Sequence, residues 1–133
     1  MKKALSALIA SVFVLANLGC EGASSVAPCS ENVDVSVSAG SAPLISWTPG
    51  CGISQLEVST VPTGGGQPVS VWSFSLPETQ PVGPSVQYAR APEGATVNTQ
   101  PQPLVTGTTY RVQVFQTVGG DVLVSSGEAT FTR

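Results

Sequence analysis

Three cysteines, Cys20, Cys29 and Cys51, are the residues of this 133-residue chain best suited to covalent chemistry. No histidine occurs anywhere, which removes the usual general base, the commonest metal ligand and the physiological pH switch together. Serines are plentiful, but no Gly-x-Ser-x-Gly elbow is present and no histidine could activate one. The acids Glu31, Asp34, Glu57, Glu78, Glu93, Asp121 and Glu128 lack the spacing of a calcium loop. Gly64-Gly65-Gly66 lacks the lysine and following helix of a phosphate loop, and reads as a hairpin tip. The expectation is no catalytic residue, no cofactor and no metal. What remains for the thiols is pairing or modification.

The elements around two of them suggest a pair. Val33–Ser38 and Pro43–Thr48 read as strands joined by the turn-prone Ala39-Gly40-Ser41-Ala42. Cys29 and Cys51 lie eleven residues either side of Gly40. A hairpin centred there sets them opposite each other, with α-carbons about 4.5–5.5 Å apart. Disulfides accept that separation. An odd cysteine is left over and needs a role of its own.

Period-two alternation continues along the chain. Val33, Val35 and Val37 alternate with polar residues, as do Leu56 and Val58, then Trp72, Phe74 and Leu76, then Tyr110, Val112 and Val114. Such alternation is written by half-buried antiparallel strands. Eleven prolines and fourteen glycines interrupt any helical period. Pro62–Pro68 and Pro77–Ser85 read as loops. Gly127, between Val122-Leu123-Val124 and Ala129-Thr130-Phe131-Thr132, suggests a bulge. Regularly spaced short strands with turns between them indicate one all-β sandwich or barrel. Trp47 and Tyr110 fall on the inward parity of their strands and are expected in the core. Trp72, Phe74 and Leu76 are expected to pack there too.

The N-terminus carries a different signal. Lys2 and Lys3 precede an apolar run from Ala4 to Leu18, then Gly19 and Cys20. A basic start and a short apolar stretch before a small residue form a secretory signal. With a cysteine at the cut, the segment resembles the bacterial lipoprotein signal peptide. It matches at Gly19 and Cys20, while Asn17 stands where leucine is usual. The resemblance implies a signal over 1–19, lipidation of Cys20 as the mature N-terminus, and a tether over 20–31. It also implies a lipid-anchored place in the cell envelope, at the outer membrane or cell surface. Lipidation would account for the odd cysteine. Two alternatives stay open: an ordinary cut after Ala27, which Pro28 disfavours, and an uncleaved helix, for which fifteen apolar residues fall short of about 20.

Two further segments carry a second resemblance. Leu104-Val105-Thr106-Gly107-Thr108-Thr109-Tyr110-Arg111-Val112-Gln113-Val114 is similar to the fibronectin type III entry into strand F. Pro43-Leu44-Ile45-Ser46-Trp47-Thr48-Pro49 is similar to that family's strand B. The resemblance implies a seven-stranded antiparallel Greek-key sandwich, fibronectin type III- or immunoglobulin-like, over 32–133. It makes Trp47 a core residue and Tyr110 a corner, in a motif with Leu104 and Gly107, whose hydroxyl bonds back to a backbone group near Leu104.

Both lysines leave with the signal, so residues 20–133 hold three arginines against eight acids, a net charge of −5. That excludes nucleic acid as a natural partner. Phe115 lies on the outward parity of its strand with Arg111 and Gln113, expected mid-sheet, and marks a candidate binding face. The expected function is a membrane-tethered, non-catalytic module binding a protein or glycan. The alternative is a structural or spacer subunit of an envelope assembly.

Overall fold

The computed structural model describes residues 26–133 apart from residue 121. The signal segment 1–19, Cys20 and the first residues of the tether lie outside the described residues. Eight strands follow one another: β1 (Asp34–Val37), β2 (Leu44–Thr48), β3 (Gln55–Thr60), β4 (Ser70–Ser75), β5 (Ser85–Gln87), β6 (Thr96–Thr99), β7 (Thr109–Val118) and β8 (Val122–Thr132). They form two antiparallel sheets in a sandwich-like arrangement, ordered β1-β2-β5 and β6-β4-β3-β7-β8. The alternation seen in sequence sorts inside from outside. Ile45, Trp47 and Val86 of the smaller sheet share one buried core with Leu56, Val58, Trp72, Phe74, Val112 and Val114 of the larger.

The strand number exceeds the seven expected. At one edge of the larger sheet β6 pairs with β4 through Ser73↔Thr99, Phe74↔Val97 and Ser75↔Thr96. Only Val97 is apolar in Thr-Val-Asn-Thr, so the segment writes almost no alternation.

Bulges adjust three of the ladders, one of them at Asn98 on β6. Val58 faces Trp72 and Ser59 faces Ser70, so Val71 is the extra residue on β4. Val71 and Trp72 are consequently both buried. On β8, Val114 faces Gly127 while Phe115 faces Ser125, leaving Ser126 as the extra residue beside the expected Gly127. The two pieces read there as separate are one continuous strand.

The Cys29–Cys51 disulfide is present, with α-carbons 4.8 Å apart. The geometry that brings the two together differs from the expected ladder. β1 and β2 pair Val35 with Trp47 and Asp34 with Thr48, a register centred on Ser41, and the ladder stops there. The chain then turns at Pro49, whose carbonyl accepts from the Cys51 amide at 2.8 Å. Beyond the turn Pro28 bridges Gly52 in parallel. Cys29 N–H donates to the Gly52 carbonyl at 2.9 Å, and Gly52 N–H to the Ala27 carbonyl at 2.7 Å. Only glycine fits at 52, because a Cβ would come within 2.7 Å of Pro81 Cβ. Backbone pairing therefore begins by residue 27, ahead of the boundary expected at 32, and the last tether residues belong to the folded unit.

Candidate functional site

β2, β7 and the segments that flank them hold most of the residues singled out in sequence. Trp47, on β2, is buried between the sheets, and its Nε1–H donates to the Cys51 carbonyl at 2.8 Å. The indole thus fixes the turn that carries the disulfide. Tyr110, the second residue of β7, is buried and stacks on Phe131 of β8 with centroids 5.5 Å apart. Its hydroxyl oxygen accepts from the Val105 amide at 2.8 Å. Leu104 packs against the core, and Gly107 takes φ +83°, a conformation suited to glycine. Gly107 N–H donates to the Arg133 carbonyl at 2.6 Å, so the turn is tied to the end of β8. These residues are architecture.

Arg111, Gln113 and Phe115 do share the outer face of β7. Their cross-strand neighbours are Ser59, Glu57 and Gln55 on β3, and Thr130, Glu128 and Ser125 on β8. Further out on that face, Ser73 donates to the Thr99 hydroxyl at 3.0 Å. Gln113 Nε2 donates to Glu128 Oε2 at 3.4 Å. The face is a lattice of hydroxyls, amides and carboxylates. Phe115 is not mid-sheet on it. It pairs with Gln55, the first residue of β3, which puts it at one end of the sheet, and it is half-buried. No second aromatic ring stands beside it among the residues that pair with β7, so the candidate face lacks an apolar centre.

The exposed apolar surface lies elsewhere. β7 and β8 run on past Phe115, where β3 ends, as a two-stranded ribbon. Val118, Val122, Leu123 and Val124 at its tip are each 48–59 % exposed. Gly119 and Gly120, at φ +66° and +94°, make the turn between the strands. The sequence signal was present in Val122-Leu123-Val124, three apolar residues covering both parities. β8 is the edge of its sheet and β3 pairs no further than Phe115, so these three side chains have little core to enter.

Beside the ribbon is an open cavity of about 570 Å³, between Pro28–Asn32 on one side and Gln116–Gly119 and Val124 on the other. Gln116 lines it, is 4 % exposed, and donates through Nε2 to the Thr117 carbonyl at 3.1 Å. Its Oε1 has no partner. Glu31 and Glu78 stand at the cavity's rim and are exposed.

Tyr88 had no role in the sequence reading. It is buried edge-on to Trp72, with centroids 5.2 Å apart, and its hydroxyl donates to the Gln102 carbonyl at 2.6 Å. Burial pushes its phenol above the ordinary value. Its partner lies in the Pro- and Gln-rich stretch between β6 and β7, so the contact is structural. Among the described residues no three His, Cys, Asp or Glu side chains come together as metal ligands do. No helix among them is long and apolar enough to cross a membrane. No family model, curated protein or solved structure matches the chain.

Proposed function

We propose that this chain is a lipid-anchored, non-catalytic module of the bacterial cell envelope, with a fibronectin type III-like sandwich as its mature domain. The observation that carries the reading is the pairing of Cys29 with Cys51. It accounts for two of three cysteines and leaves Cys20, at the end of the apolar segment, for modification. The strand order supports the fold: β1-β2-β5 against β4-β3-β7-β8 is the three-on-four arrangement of that sandwich, with β6 added at one edge. The Tyr110–Val105 hydrogen bond occupies the place of the tyrosine corner.

The polar outer face of the larger sheet favours the spacer reading over a protein- or glycan-binding face at Phe115, Arg111 and Gln113. Interface centres are depleted in charge and enriched in aromatic rings, and this face offers Glu57, Glu128 and one half-buried ring.

Intact mass of the protein extracted from its native membrane tests the anchor. The expected species begins at Cys20 and carries acyl chains, and Cys20→Ala is released from the detergent phase or left unprocessed. Two or more chains hold firmly, since each buried CH₂ contributes about 0.8 kcal/mol. An unmodified N-terminus at Pro28 overturns the reading. Crosslinking in the same membranes tests the face: partner capture abolished by Phe115→Ser returns the binding role to β7.

A further inference from the structure

We propose that the tip of the β7–β8 ribbon docks on the lipid bilayer, with Val118, Val122, Leu123 and Val124 entering its interfacial layer. The inference rests on the anchored reading for its geometry.

Chain length outside the described residues fixes which end of the sandwich meets the membrane. The folded chain enters at Val26, whose Cγ2 lies 3.4 Å from where a Cβ on Gly83 would stand. Five residues lie between Cys20 and Val26, and even fully extended the six steps span only about 20 Å. Acyl chains on Cys20 therefore hold the entry end within that distance of the bilayer. The ribbon tip is at this same end: Pro28–Asn32 and Val118, Gly119 and Val124 line one cavity. The start of β7, with Val105 and Gly107, is at the far end.

The dimensions fit. β7 runs three residues past the last β3 pair, at Phe115, but Ser54 still holds Thr117 through its amide and hydroxyl, so the free tip is Val118, the turn and Val122, reaching about 5 Å at ~3.3 Å per residue. Peripheral apolar groups reach about 5–10 Å into the boundary between headgroups and acyl chains. Four branched aliphatic side chains on a narrow ribbon form an apolar point, with no aromatic ring or arginine of the kind that anchors a protein interface. Charge selects the lipid. Glu31 and Glu78 are exposed beside the ribbon. No lysine follows residue 3. A neutral zwitterionic surface suits this end, and an anionic one repels it.

The test uses the full chain carrying Leu123→Trp, reconstituted into phosphatidylcholine vesicles with brominated acyl chains, and Val69→Trp as the far-end control. Trp47 and Trp72 are 1 % and 0 % exposed and supply a shielded background. The expected result is quenching and a blue shift for Leu123→Trp and neither for Val69→Trp. The unlipidated mature chain, residues 20–133 with Cys20→Ser, should still partition into phosphatidylcholine vesicles, and more weakly when anionic phosphatidylglycerol is added. Leu123→Ser should lower that partition about tenfold, because fully burying one leucine is worth at least that factor. Equal insensitivity of both tryptophan reporters overturns the proposal. So does a concentration-dependent dimer that Leu123→Ser abolishes, which would make a second copy the occupant. The mass at residue 20 reports on the anchor separately, so a lipidated chain with an unquenched tip refutes the docking alone. For a chain found without lipid, the partition of the unlipidated form decides it.

Discussion

The Val33 amide donates to the Ser126 carbonyl at 2.6 Å, joining the lead-in to β1 to the bulge of β8. This bond links the two sheets by backbone at the edge of the sandwich. It forms because Ser126 is the extra residue of the bulge, which turns its carbonyl away from β7. Gly127 follows at once because there is no room for a side chain: a Cβ would strike the Val33 carbonyl oxygen and lie 3.0 Å from Val35 Cγ2.

Gly127→Ala should therefore destabilise the fold by about 1–3 kcal/mol, the usual cost of overfilling a packed site. Urea denaturation measures it. An unchanged midpoint would mean that β1 and β8 separate freely.

Loss of the disulfide should be larger. Cys29 and Cys51 are 22 residues apart in sequence, and closing a loop of that size stabilises by about 3 kcal/mol in the chain-entropy model. At 4–8 °C per kcal/mol, Cys51→Ser should lower Tm by about 12–24 °C. Calorimetry of the oxidised protein and of the variant gives the comparison, and free thiols in oxidised wild type would contradict the pairing.

Tyr88→Phe should cost more than Tyr110→Phe. The Tyr88 hydroxyl donates to the Gln102 carbonyl from a buried position, and removing it strands a polar group for about 1–3 kcal/mol. The Tyr88 hydroxyl also lies 3.5 Å from the buried Val71 carbonyl, whereas the Tyr110 hydroxyl makes a single bond, accepting from the Val105 amide. There the loss should be near 1 kcal/mol. The reverse order would show that the turn before β7 is the more critical of the two.

Alkaline pH should act through Tyr88. Its folded-state pKa is raised by burial above the unfolded value near 10. The neutral phenol is thus favoured by folding. This contribution is complete below pH 10 and is lost as pH rises toward and past the folded value. Stability measured from pH 8 to 11 should fall at the upper end, and Tyr88→Phe should flatten that fall. An equal slope in the variant would assign the loss to other groups.

Alternation was enough to read β1, β2, β3, β4 and β7 from the chain, because a strand with one face in a core must repeat every two residues. Composition was enough to exclude histidine chemistry, and cysteine parity to single out Cys20. Pairing and register were another matter. Cys29 meets Cys51 through a turn at Pro49 and a parallel bridge, not across the hairpin ladder, and a local reading of spacing sees only the ladder. β6 is polar because it is an edge strand with little core to face, so its existence depends on Ser73 and Phe74 being there to pair with it. Phe115 sits at the end of the sheet because β3 begins at Gln55, and the same ending leaves Val118, Val122, Leu123 and Val124 beyond any core. Which apolar residues are buried along a strand is local and periodic; where the neighbouring strand stops is decided only when the sheets assemble.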